Sequence, residues 1–157
     1  MVTTKIDVSK DYLTINKKEK WITNEVSRNK VHLLRSRHDC VLSTSKSINH
    51  DDSLLNCRIN GLNNIKPALF IIDLKLKLKK KLSLNKYLKI RKTYLITSKT
   101  NTSKTSVYKK MGYKIIFINK LQSKNDLNIL FKKIYKIGYS RMLIETGLTF
   151  LNYFIKN

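Results

Sequence analysis

The stretch "YKIGYSRMLIETGLTF", Tyr135 to Phe150, decides the fold. It reads as the end of a helix, a glycine, a strand, a second glycine and the start of another helix. Gly138 fits the left-handed position that follows a helix end. The run "RMLIE" (141–145) is a short apolar strand. Gly147 then turns the chain into "LTFLNYFIKN", a last helix running to Asn157. The same order of helix, glycine, tyrosine and strand recurs at "KKMGYKIIFI" (109–118), so the two are repeated αβ joints.

Working outward, further strands are expected at "VTTKIDV" (2–8), "CVLST" (40–44), "ALFIID" (68–73), "TYLIT" (93–97) and "KIIFI" (114–118). The middle runs are apolar throughout rather than alternating, which suits strands covered on both faces of a largely parallel sheet. Helices are expected over about 24–37, with Thr23 as N-cap and Glu25 in the first turn, over about 104–111 and over 126–137. Strand and helix in alternation make an α/β layered domain. Segment 74–92, "LKLKLKKKLSLNKYLKIRK", alternates leucine with lysine and reads either as a charged edge strand or as a mobile basic loop.

The chain has 157 residues, which suits one domain. At that size roughly 70% of the unfolded surface can be buried. Thirty-three Lys and Arg face ten Asp and Glu, a net charge of +23. Such a charge attracts nucleic acid, anionic lipid or phosphorylated small molecules. The abundance of Lys, Asn and Ile and the shortage of Gly and Pro also match the bias of an AT-rich coding sequence, which makes many lysines a solvated face. Cys40 and Cys57 form no C-x-x-C pair and no metal-ligand spacing with His32, His38 or His50, so reduced thiols, no metal site and a cytoplasmic location are expected. No signal peptide is expected from "VTTKID", and "ALFIID" is far too short to span a bilayer.

Three places can carry chemistry. At "IETGLT" (144–149) a strand ends at Glu145 and a helix begins after Gly147, so a phosphate can meet free N–H groups there, with Thr149 adding a hydroxyl. A tight βα loop explains the same residues. The polar stretch "STSKSINHDDSLLNCR" (43–58) brings Ser47, Asp51, Asp52 and Arg58 into one segment, suited to sugar hydroxyls and phosphate. An ordinary polar loop with an N-capping Ser or Asp explains it equally. Trp21, the only tryptophan, sits before a helix carrying Arg35; it is either core or a flat face for a heterocycle.

In sequence order, "VTTKIDVSKDY", "WITNEVSRNKVHLLRSRHD", "SINHDDSLLNCR", "KPALFIID" and "IETGLTF" resemble five blocks of the reductase domain of the bifunctional riboflavin-biosynthesis deaminase–reductases. The resemblance implies a dihydrofolate-reductase-like three-layer α/β/α fold with a mostly parallel sheet. It implies NADPH as cofactor and a phosphorylated ribosylaminopyrimidine as substrate, reduced at the sugar to a ribitylamino chain. By position it implies cofactor contacts at Trp21, Ser47, Asp51, Gly147, Leu148 and Thr149, and substrate contacts at Arg35, Leu55, Arg58 and Glu145. Asp51 and Glu145 are the candidate proton-transfer groups.

The sequence departs from the family pattern at Asp7, Tyr12, Ser47 and Leu148, and it stops at "FIKN" where the family continues into further strands of the sheet. The expected organisation is one reductase-like domain over 1–157 without those last strands. No deaminase domain is expected, since the His-x-Glu and Pro-Cys-x-x-Cys zinc pattern is missing. A homodimer and a separate deaminase partner follow as expectations. The alternatives are a catalytically silent remnant of the same domain and a basic nucleic-acid-binding module, the latter without any helix-turn-helix, zinc-finger or RNP-like motif.

Overall fold

The computed structural model describes residues 1–6 and 24–156. Its strands are β1 (Val2–Lys5), β2 (Cys40–Thr44), β3 (Ala68–Ile72), β4 (Thr93–Ser98), β5 (Lys114–Ile118) and β6 (Met142–Glu145). Its helices are α1 (Glu25–Ser36), α2 (Ser45–Asp51), α3 (Ser106–Met111), α4 (Lys124–Lys136) and α5 (Leu148–Lys156), with 3-10 turns at Ser83–Tyr87 and Lys99–Thr105. The strands form one sheet in the order β1-β6-β2-β3-β4-β5, and every pairing is parallel.

Right-handed crossovers dictate where the helices lie. The chain steps in one direction across the sheet from β1 through β2, β3 and β4 to β5, then reverses to insert β6 between β1 and β2. Helices of the outward steps must cover one face, and the helix of the return step the other. The core divides accordingly. Val41, Leu69, Ile71, Leu95 and Leu143 pack with Leu34 of α1, Ile48 of α2 and Tyr108 of α3. Leu42, Phe70, Ile72, Ile96 and Ile144 pack with Leu130 and Ile134 of α4 and with Phe150 of α5. This is the three-layer α/β/α arrangement. Strand β3 is buried along its whole length, as the unbroken apolar run requires. Each fully buried Leu, Ile or Phe contributes about 1.5–3 kcal/mol of transfer free energy.

The glycine-marked joints form as the sequence predicts. Gly112 closes α3 at φ 108°, and a Cβ there would lie 3.3 Å from Leu88 Cβ, so conformation and space both favour glycine. α4 starts slightly earlier than expected because Ser123 and Asp126 form a reciprocal capping box. The N-cap of α1 is Asn24, whose side chain accepts from Ser27 N at 2.9 Å; the Thr23 expected there lies outside the described residues. Cys40 and Cys57 are buried free thiols. Burial, reinforced by the Asp39 charge, pushes the Cys40 thiol up to about 12, so it stays protonated.

Two segments correct the sequence-based expectation. Residues 74–92 are neither an edge strand nor a loose loop; β5 and β1 are the edges. The Asp73 carboxylate accepts from Lys77 N at 2.8 Å and Leu78 N at 2.7 Å, which folds the chain back at once. Leu78, Leu82 and Leu84 then sink into the core. The stretch after β2 is likewise no irregular loop at its start. It is α2, capped by Thr44, whose hydroxyl accepts from Ser47 N at 3.2 Å.

Candidate functional site

In an open parallel sheet a crevice forms at the carboxyl ends of neighbouring strands whose following helices leave toward opposite faces. Here those strands are β6, followed by α5 on one face, and β2, followed by α2 on the other. The two strand ends are stitched together: Ser43 Oγ donates to the Glu145 carbonyl at 2.7 Å, and Gly147 N donates to Ser47 Oγ at 3.3 Å.

Glu145, the last residue of β6, is buried there and meets Arg35 of α1 in a bidentate pair. Arg35 Nε donates to Glu145 Oε1 at 2.7 Å and Nη2 donates to Oε2 at 2.8 Å. Parallel donors matched to one carboxylate make a strong and geometrically exact pair. Arg35 Nη1 also donates to the Asn56 carbonyl at 3.1 Å. His32, one helical turn earlier, shares that carbonyl through Nδ1 at 2.9 Å. This contact makes Nδ1 the protonated nitrogen and leaves Nε2 to accept from Arg58 Nη2 at 3.4 Å. Burial, followed by the nearby Arg35 charge, holds the His32 pKa below its ordinary value, so the ring is neutral at neutral pH.

The segment carrying Asn56 and Arg58 is fixed from below by a second buried arginine. Arg91 donates to the carbonyls of Leu54, Leu55 (2.7 Å) and Pro67 (2.7 Å). Burial first, and then the Arg35 charge, lower its pKa to about 10, which still leaves it charged. These bonds hold Leu55 in the left-handed region at φ 50°, a conformation that costs a residue of this shape on the order of 1–2 kcal/mol.

A comparison of the chain with protein families finds a match to the RibD C-terminal domain over residues 3–157. The chain belongs to the RibD C-terminal domain family. Among solved structures it is similar to Acinetobacter baumannii RibD, with a TM-score of 0.76 and 21% identity over 99% of this chain and 42% of that one. It is similar to the Thermotoga maritima diaminohydroxyphosphoribosylaminopyrimidine deaminase/5-amino-6-(5-phosphoribosylamino)uracil reductase, with a TM-score of 0.66 and 20% identity over 99% of this chain and 40% of that one. The Saccharomyces cerevisiae riboflavin biosynthesis reductase Rib7 aligns with a TM-score of 0.66 and 18% identity over 93% of this chain and 62% of that one. At these identities the likeness is one of fold. The chain spans well under half the length of the two bacterial proteins. A comparison with curated protein sequences finds no match.

In this RibD C-terminal domain the residues singled out from the sequence fall into two connected groups and two outliers. Arg35, Glu145 and Arg58 join through His32 and the Asn56 backbone. Ser47 and Gly147 meet directly, with Leu148 and Thr149 exposed just beyond them. Gly147 does not need a left-handed backbone, and a Cβ there would find only Ser47 Oγ at 3.9 Å, so its surroundings are open. Leu55 turns its side chain into the core and its carbonyl is taken by Arg91, which leaves it only its backbone N–H for a ligand. Asp51 stands at the far end of α2, exposed and paired with His50 at 2.5 Å. Trp21 lies outside the described residues. His32, Asn56 and Arg91 escaped the sequence reading; the one clue was His32 standing one helical turn before Arg35. Among the described residues no group of His, Cys, Asp and Glu could hold a metal ion, and no helix is long and apolar enough to cross a membrane.

Proposed function

We propose that this domain reduces a 5-amino-6-(5-phosphoribosylamino)pyrimidine to its ribitylamino form in riboflavin biosynthesis, with NADPH as the reductant. Membership of the RibD C-terminal domain family supports this reading, as do structural neighbours named as reductases of this pathway. The observation that carries it is the buried Arg35–Glu145 pair, set three residues before the first residue of α5 at the sheet's switch point.

The residues present fit the cofactor. Gly147, Leu148 and Thr149 are exposed at a helix start; the Gly147 N–H is engaged by Ser47 Oγ, while the first N–H groups of the helix and its dipole favour a phosphate. The bare Gly147 Cα leaves room for close approach. Ser47 and Thr149 add hydroxyls, and Trp21 is assigned a flat contact with the cofactor. When bound, NADPH supplies the hydride.

The chain's own task is to bind and orient. Arg35 spends its fork on Glu145, so Arg58, exposed at the crevice rim, is the guanidinium available to the substrate phosphate. Arg35 in turn fixes the direction of the Glu145 side chain, whose remaining lone pairs can accept a hydrogen from a sugar hydroxyl as the ring opens. Asp51, exposed and paired with His50 at the end of α2, stands apart from this pair. Calorimetric titration of NADPH into the protein tests the reading. Saturable heat that Gly147→Val diminishes is expected; no heat at millimolar NADPH would overturn it.

A further inference from the structure

From Leu74 to Asn125 the chain carries sixteen of its thirty-three basic residues and none of its ten acidic ones. A coding bias toward lysine enriches the whole chain; it does not clear a continuous third of it of carboxylates. The acids that bracket this third are spent on backbone. Asp73 accepts from Lys77 N and Leu78 N, and Asp126 accepts from Gln122 N and Ser123 N. All fifteen lysines of the segment are exposed. Among the described residues none of them pairs with a carboxylate. Folding concentrates part of this charge. Gly112 lets the start of β5 lie close against Leu88, since a Cβ there would stand 3.3 Å from Leu88 Cβ. Tyr113 Oη donates to Asn85 Oδ1 at 2.7 Å and ties the same two segments together. The run "KYLKIRK" (86–92) thereby meets the run "KKMGYK" (109–114). Between them lies a groove of about 320 Å³ lined by Lys89, Lys92 and Lys114. Lys86, Lys109 and Lys110 stand exposed on the same two runs. The groove lies at the amino ends of β4 and β5, whereas the crevice lies at strand carboxyl ends.

The chemistry of these side chains names the ligand. Lysine ammoniums bind phosphate as point charges. The one arginine of the segment, Arg91, is buried on backbone carbonyls, so no guanidinium is offered to base edges. Tyr94, Tyr108 and Tyr113 are buried and present no face on which unpaired bases could stack. Of the large apolar side chains on the two runs only Ile90 is exposed, too little to enter a bilayer. Repeated cations on a fixed surface, without stacking platforms or base readers, match the repeated phosphates of a duplex. We propose that this groove and its six lysines form a docking surface for the sugar–phosphate backbone of double-stranded nucleic acid, indifferent to base sequence. The surface is separate from the crevice, and this role stands or falls without the reductase reading.

Fluorescence anisotropy of a short labelled duplex, made as DNA and as RNA and titrated with the whole chain at stepped salt, tests the proposal. Two variants separate the groove from bulk charge. The first changes Lys89, Lys92, Lys110 and Lys114 to glutamine. The second changes Lys120, Lys124, Lys132 and Lys136, exposed on or just before α4, and so has the same net charge. The wild type should bind a duplex and its scrambled sequence equally, with log K falling linearly against log salt. The first variant should bind on the order of a hundredfold more weakly, with a salt slope shallower by about 3–4. The second should stay within about threefold of the wild type. Tighter binding of one duplex assigns the A-form or the B-form backbone; equal binding assigns the phosphate repeat they share. If the first variant fails to fold, acetylation of the wild-type lysines decides instead, with the duplex expected to protect the groove lysines and leave those of α4 reactive. Equal loss in the two variants would reduce the attraction to net charge and overturn the proposal. So would tighter binding of a single strand, or binding to phosphatidylserine vesicles that the duplex cannot displace.

Discussion

Two arginines lie buried on the same side of the molecule, and they are held in opposite ways. Arg35 faces a carboxylate, bidentate at 2.7 and 2.8 Å. Arg91 pairs with no carboxylate among the described residues; it grips three backbone carbonyls, of Leu54, Leu55 and Pro67, on either side of Asn56. A guanidinium on carbonyls fixes the path of the chain. A guanidinium on a carboxylate fixes the direction of that side chain. Arg91 is therefore architecture for the crevice, and Arg35 is part of its chemistry.

The largest expected effect is on Arg91. Arg91→Met strands three carbonyls, and hydrogen bonds to a charged donor are worth about 1.5–3 kcal/mol each. Denaturant unfolding should show a loss of about 4–6 kcal/mol, a large share of a typical domain's stability. Next comes the ion pair. Glu145→Gln leaves Arg35 buried and unpaired and should cost about 3 kcal/mol together with turnover. The double variant Arg35→Met, Glu145→Leu should recover most of that stability while remaining inactive. If the double variant kept activity, the contrast between the two arginines would fail.

A smaller effect concerns pH, away from both arginines. Burial works to raise the Asp39 carboxyl, but hydrogen bonds from the Arg141 and Ser140 backbones and side chains outweigh it and hold the pKa at about 2, against an ordinary 3.8. A carboxyl depressed on folding contributes stability that is complete above its unfolded value and is lost as pH falls through the folded one. Stability from this joint between β2 and β6 should therefore fade between about pH 4 and pH 2. Asp39→Asn should flatten that part of the curve, measured by unfolding at stepped pH. The smallest effect belongs to the capping box of α4, where Ser123→Ala should cost about 1 kcal/mol and leave ligand binding unchanged.

The sequence made the αβ joints legible because glycine marks a helix end and an unbroken apolar run marks a strand covered twice. It misled at α2, whose seven residues bury only Ser45 and Ile48 and so show no helical period. It misled again at 74–92, where the Leu–Lys alternation imitates a strand, while the Asp73 carboxylate holds Lys77 and Leu78 in a turn. Arg35 and Glu145 were each visible through the family resemblance. Their pairing across 110 positions was not, since it depends on β6 inserting beside β2. Asn56 and Arg91 were hidden for the same reason: a shared carbonyl or a carbonyl clamp exists only once the chain is folded.

The surplus of lysine offers phosphates other places to bind. Lys89, Lys92 and Lys114 line a groove with the first residue of β4, at the edge of the sheet opposite the crevice. A nitrogen–proton correlation spectrum followed during NADPH titration separates specific from diffuse attraction. The account predicts that the amides of Ser47, Gly147, Leu148 and Thr149 shift first and saturate together, unaffected by moderate salt. Shifts confined to Lys89, Lys92 and Lys114 and abolished by salt would contradict it.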